Sequence, residues 1–196
     1  MAKKLYVAYG SNLNKGQMKY RCPTAKFYGT GELHGYELQF KGRNGSAFAT
    51  IAPKDGASVP VGLWEIQPRD ERALDMYEGF PSHYFKEDVP VQVGGTEVNA
   101  MVYVMNLRMN FNLSSPSYYA TVHQGYRDCG LDTAALEQAL QSSTQHYYDS
   151  AVRYEQKSLF DYDEDEPEED EDFDEGEEDE WEDVDEDEGY DFRFHM

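Results

Sequence analysis

The chain has 196 residues, a formal net charge of −22 and a mean hydropathy of −0.81. Its charge is concentrated: 23 of the 39 acidic residues fall in 161–196 beside a single arginine, while the first 160 residues balance 16 acidic against 16 basic. The balanced body offers no basic stripe for nucleic acid, the acidic segment repels phosphates, and no apolar run approaches the ~18 residues of a membrane-spanning helix.

Residues 5–9, Leu5-Tyr6-Val7-Ala8-Tyr9, form an apolar, aromatic run of strand length that stops at Gly10-Ser11-Asn12-Leu13. Glycine there permits either a close approach or a positive φ. Ser11 and Asn12 add a hydroxyl and an amide, and the turn's backbone N–H groups are suited to an anion or a developing oxyanion. On pattern alone, such a turn is more often an ordinary loop than a site. The two lysines and five apolar residues before Gly10 are too few for a secretory leader.

Residues 15–21 read as a short helical link, and 27–40 as a strand bent or bulged at Gly29, Gly31 and Gly35. Residues 47–52 and 61–66 read as two further short strands. Gln67-Pro68 opens a helix with Asp70 and Glu71 in its first turn, a face of Ala73, Leu74 and Tyr77, and an end at Gly79. Residues 83–93 and 98–105 are strands joined at Gly94-Gly95, and 117–128 and 133–157 are helices. Many short strands with glycine corners favour a small barrel over an open parallel sheet. The expected organisation is one α+β domain over 1–158 and a disordered, low-complexity acidic tail over 159–196. Cys22 and Cys129 lie too far apart for a disulfide framework and fit a reduced, cytoplasmic protein.

Glu78 is the acid with a chemical argument. It lies one turn after Leu74, on the face that Leu74 buries, and directly before the helix-ending Gly79. Burial and the negative helix end both favour its neutral form, raising its pKa towards the value a general acid–base needs. Most helix-end glutamates are simply solvated, which is the competing reading; Asp70, Glu71 and Asp75 read as helix-surface charges. The histidines show no metal-ligand spacing, and Gly29-Thr30-Gly31 lacks the rest of a dinucleotide fingerprint.

Tyr9-Gly10-Ser11-Asn12-Leu13, Tyr77-Glu78-Gly79, and Pro116-Ser117-Tyr118-Tyr119 followed by Gly125-Tyr126-Arg127-Asp128-Cys129-Gly130-Leu131 together resemble the gamma-glutamylcyclotransferase-like family over about residues 4 to 150. The resemblance implies a compact mixed β-barrel flanked by helices. It also implies that a γ-glutamyl group's α-amine attacks its own γ-carbonyl, leaving 5-oxoproline and a released amine or amino acid. It makes Glu78 the catalytic acid–base, assigns Tyr9, Gly10, Ser11, Asn12 and Leu13 to the loop holding the γ-glutamyl group, and brings Tyr119 to the same cavity. It calls for no metal or cofactor. The leaving group stays open, with Glu78-Gly79-Phe80-Pro81 and Tyr84 nearer the γ-glutamyl amine branch than the glutathione-specific one. The alternative is a non-catalytic binding module on this fold, its acidic tail engaging a basic protein surface.

Overall fold

A computed structural model describes residues 4–43, 46–106 and 108–160, with only the backbone described for 155–160. In chain order the elements are β1 (Lys4–Ala8), a 3-10 turn (Ser11–Leu13), α1 (Lys15–Arg21), β2 (Lys26–Arg43), β3 (Ser46–Ile66), α2 (Pro68–Glu78), β4 (Tyr84–Val93), β5 (Thr96–Met105), β6 (Asn110–Phe111), α3 (Pro116–Cys129) and α4 (Thr133–Phe160). The expected acidic tail, 159–196, lies almost wholly outside the described residues.

Five strands close on themselves in the order β3-β1-β5-β4-β2, with β2 returning to β3 and the short β6 added at the edge of β2. The barrel is mixed because β1 runs parallel to β5 and antiparallel to β3. Closure removes the exposed strand edges that so small a sheet would otherwise present. Leu33, Phe40, Ile51, Val61, Leu63 and Val102 are completely buried and form part of one continuous core. The helices cover the outside, α4 against β2, where the Phe40 N–H donates to the Ser143 hydroxyl at 2.9 Å.

Residues 47–52 and 61–66, expected as two strands, belong to one. β3 stays paired with β2 from Arg43↔Ser46 to Lys26↔Glu65 and absorbs its turn-like middle as a bulge, with 54–57 lying opposite Gly35 between His34↔Ser58 and Tyr36↔Pro53. Gly35 takes φ 79° there, which glycine adopts without steric cost. A second irregularity sits between Phe27 and Gly29, so two of the three glycines expected to bend β2 do mark its bulges.

Asp70 corrects a second expectation. It is not a surface charge: it is 1% exposed, and its carboxylate accepts from the Gln67 N–H at 3.0 Å and the Thr24 hydroxyl at 2.7 Å, completing a capping box at the start of α2. Glu71 and Asp75 stand on the half-buried side of α2, each 2.7 Å from Lys86 Nζ. Among the described residues no helix is long and apolar enough to cross a membrane.

Candidate active site

Where β1 ends, the chain turns tightly because Gly10 has no Cβ. Its φ of −115° is not left-handed. Space is what it needs, since a Cβ would stand 3.2 Å from the Ala49 Cβ and 3.3 Å from the Tyr118 hydroxyl. The Leu13 N–H donates to the Gly10 carbonyl at 3.0 Å and closes the 3-10 turn. Leu13 itself points into the core. Its side chain occupies the room left by two glycines: a Cβ on Gly62 would come within 2.8 Å of Leu13 Cδ2, and one on Gly125 within 2.7 Å of Leu13 Cβ. Trp64 Nε1 holds the turn from below, donating to the Asn12 carbonyl at 3.1 Å.

Glu78 is the last residue of α2, stopped by Gly79 in the left-handed conformation at φ 63°. Its carboxyl meets the turn directly. Asn12 Nδ2 donates to Glu78 Oε1 at 2.7 Å and, with its other hydrogen, to the Tyr6 hydroxyl at 2.8 Å. The Asn12 side-chain oxygen accepts from the Arg21 guanidinium, which also donates to Gln17 Oε1 at 3.1 Å and stacks 3.3 Å above the Tyr77 ring. A guanidinium has only donors, so Arg21 turns the amide oxygen towards itself and the amide nitrogen towards Glu78. Burial raises the Glu78 pKa to about 7 against the opposing effects of the Arg21 charge and the Asn12 hydrogen bond. Tyr77, expected on the buried face with Leu74, is instead 47% exposed, with its hydroxyl 3.2 Å from Ser11 Oγ.

Tyrosines complete the surroundings. Tyr9 donates to the Tyr103 carbonyl at 2.6 Å and Tyr84 to the Ala49 carbonyl at 3.1 Å. The Tyr118 oxygen accepts the Ala49 N–H at 3.1 Å and keeps its own proton to donate. Burial pushes the Tyr6, Tyr9, Tyr84 and Tyr118 phenols well above their ordinary pKa, and the nearby Glu78 charge adds to this in each case. They are neutral hydroxyls across the physiological range.

Two adjoining spaces open here, an inner one of about 30 Å³ and an outer one of about 520 Å³, with Ser11, Glu78, Tyr84 and Tyr118 lining both. The fold thus brings Tyr9, Gly10, Ser11 and Asn12 together with Glu78 around one cavity. It does not bring Leu13 or Tyr119. Leu13 anchors the turn from inside the core, and Tyr119 lies beside His123, ring centroids 6.0 Å apart, while its neighbour Tyr118 lines both spaces. A signal for Tyr118 existed in the sequence: it shares a helical stripe with Val122, Gly125 and Tyr126, all buried. Arg21 and Tyr6 carried no comparable signal, since their partners are distant in sequence or on another element.

This geometry agrees with comparisons to known proteins. The family model for gamma-glutamyl cyclotransferase, AIG2-like, matches residues 6–123. The gamma-glutamylcyclotransferase of Bos taurus is 30% identical over 141 residues, covering 65% of this chain and 72% of that protein. The Homo sapiens protein of the same name is 30% identical over 138 residues with the same coverage. A solved gamma-glutamyl cyclotransferase structure superimposes with a TM-score of 0.65 at 27% identity, over 70% of this chain and 86% of that one. A barrel of this topology, the Gly-Ser-Asn turn with its facing glutamate, and a match over most of the described residues lead to one conclusion: the chain belongs to the gamma-glutamyl cyclotransferase, AIG2-like family and is a gamma-glutamylcyclotransferase-like enzyme.

Proposed function

We propose that the protein cyclises the γ-glutamyl group of a small substrate to 5-oxoproline, releasing an amine or amino acid, with Glu78 as the general acid–base. In this reaction the substrate's α-amino nitrogen attacks its own γ-carbonyl carbon. The new C–N bond closes the lactam, and the amide bond to the leaving nitrogen breaks. Two protons leave the attacking nitrogen and two reach the departing one, so the Glu78 carboxyl is regenerated. An intramolecular attack asks the protein for positioning and proton transfer.

The observation that carries this reading is the Glu78 carboxyl itself, held at 2.7 Å by Asn12 of the turn, in a cavity, with a pKa of about 7. Such a group accepts and returns a proton near neutral pH. Tyr9, Gly10, Ser11 and Asn12 form the wall assigned to the γ-glutamyl group. Because Tyr118 lines both spaces and its oxygen already accepts the Ala49 N–H, we assign its hydroxyl proton to the oxyanion or to the substrate carboxylate, where one donor is worth roughly 3 kcal/mol. Tyr118 takes the role that the sequence resemblance gave to Tyr119. Two unpaired thiols, Cys22 and Cys129, suit a reducing cytoplasm, and a basic protein surface is the partner we assign to the acidic tail.

The test is incubation of the full chain with γ-glutamyl amines and γ-glutamyl dipeptides, with 5-oxoproline and free amine both quantified. Equimolar appearance of the two is expected. Absence of 5-oxoproline from every substrate refutes the reading.

A further inference from the structure

The body's charges balance in number but not in place. α1 carries Lys15, Lys19 and Arg21 and no acid. On α2, Arg69, Arg72 and Met76 fall at i, i+3 and i+7, an exposed stripe on the side opposite buried Leu74. The acids of α2 turn elsewhere: Asp70 into its capping box, Glu71 and Asp75 onto Lys86, and Glu78 into the cavity. The two helices adjoin, because Arg69 Nε donates to the Thr24 hydroxyl at 2.7 Å and that hydroxyl donates to Asp70 at 2.7 Å. Arg21 crosses the seam to stack on Tyr77. The expectation that the body lacks a basic stripe is therefore corrected at its surface, where folding gathers cations that the sequence scatters from 15 to 72.

Among the described residues, Lys15, Lys19, Arg69 and Arg72 make no ion pair, whereas Lys4, Lys54 and Lys86 each hold a carboxylate. The neighbouring acid, Asp128, accepts from the Lys15 backbone N–H at 3.1 Å and from Gln124 Nε2 at 2.7 Å. Tyr20 of α1 and Met76 of α2 accompany these cations, 92% and 86% exposed. The occupant that fits such a surface carries many carboxylates with aromatic rings among them. Guanidinium forks take carboxylates and stack on aromatic faces, and Tyr20 and Met76 offer a ring and a thioether.

The chain itself contains such a segment. Residues 161–196 hold 23 acids, with Phe173, Trp181 and Tyr190 among them, and follow directly on α4. Twenty extended residues span roughly 65 Å, while a body of this size has a radius of gyration of roughly 15 Å. Every point of the body's surface is within reach. Attachment to the same chain supplies an effective concentration on the order of millimolar. That suffices for a set of exposed ion pairs, each contributing at most about 1 kcal/mol.

We propose that the acidic tail docks on the α1–α2 surface of its own chain, with carboxylates on Lys15, Lys19, Arg69 and Arg72 and aromatic rings against Tyr20 and Met76. This names the basic protein surface assigned to the tail above, and it rests on that assignment rather than on the cyclisation reading. Docking shields the surface from other polyanions. The Glu78 carboxyl and the Gly-Ser-Asn turn take no part in it, so turnover does not depend on it.

A water-soluble carbodiimide joins a carboxylate to a lysine amine where the two meet, and peptide mass spectrometry of the full chain reads the pairs. At about 0.02 M salt, links from 161–196 should reach Lys15 and Lys19 roughly tenfold more often than Lys54, corrected for each amine's reactivity. In an equal mixture of ¹⁴N- and ¹⁵N-labelled chains, each link should join peptides of one label. Raising salt to about 0.5 M should remove most of these links. Arg69→Gln with Arg72→Gln should lower the Lys19 links by roughly three- to tenfold, with 5-oxoproline release unchanged. Links spread evenly over the three lysines, links absent altogether, links joining the two labels, or links indifferent to salt and to the arginine pair would each overturn the proposal. Cross-linking is read without turnover, so none of these results touches the cyclisation reading, and a chain inactive on every γ-glutamyl substrate leaves the docking result standing.

Discussion

Replacing Glu78 by glutamine keeps the volume of the side chain and an oxygen for Asn12 Nδ2 to donate to, and removes the titrating proton. The carboxyl titrates near 4.5 when solvated and at about 7 in the fold, chiefly because it is buried. A difference of that size is worth about 3 kcal/mol of differential stability between the two protonation states. The sign follows from which state holds the proton more tightly. Below pH 4.5 both folded and unfolded chains are protonated at this position, and Glu78 carries no penalty. Between pH 4.5 and 7 the unfolded chain ionises first, so wild-type stability falls. Above pH 7 the folded chain holds a buried carboxylate, and the full penalty applies. Glutamine does not titrate, so Glu78→Gln should be the more stable protein by about 3 kcal/mol at pH 8, with the gap closing towards zero near pH 4.5. Urea unfolding of both proteins at pH 4.5, 6 and 8 measures it. A gap that is absent at pH 8, or that stays constant across the series, would refute the burial and proton affinity assigned to Glu78.

Three further outcomes follow from the same geometry. Arg21→Met removes the cation that opposes the rise of the Glu78 pKa and frees the Asn12 amide to turn. The acid limb of the pH–kcat profile should therefore move to higher pH with little change in KM. Leu13→Ala empties the space between Gly62 and Gly125 that seats the turn, and thermal or urea unfolding should show a loss of about 2–5 kcal/mol. Removing the chain from Asp161 onward deletes the acidic tail. It should leave the cooperative unfolding of the body and its turnover unchanged, as read by calorimetry and 5-oxoproline release.

What the sequence made legible is what is local. The strand, the Gly-Ser-Asn turn and the helix ending at Glu78-Gly79 each depend on neighbours within a few residues, and their chemistry is written in glycine, proline and capping positions. Closure of the barrel was readable only as a tendency, because the return of β2 onto β3 spans some forty residues and depends on two bulges. Residues 54–57 carry Asp55 and Gly56, residue types that commonly end a strand, and the continuous pairing on either side of them carries β3 through. Tyr118 and Tyr119 show how fine the margin is. One residue along a helix rotates a side chain by about 100°, which here separates a cavity wall from a partly buried place beside His123. Arg21 was illegible for a different reason. Its role depends on Asn12 in the turn and on Tyr77, more than fifty positions away, and no periodic pattern links them. Asp70 was legible and misread: an acid three residues after Gln67 is a capping-box position, and that position buries it.

A comparison of turnover tests the role of Glu78 most directly. Wild type and Glu78→Gln, both folded and assayed at pH 7 on the best γ-glutamyl substrate, should differ in 5-oxoproline release by roughly 10²- to 10⁴-fold, the range of a positioned acid–base. Equal turnover by the two proteins would contradict the role assigned to Glu78 and with it the mechanism built on the cavity it shares with the Gly10-Ser11-Asn12 turn.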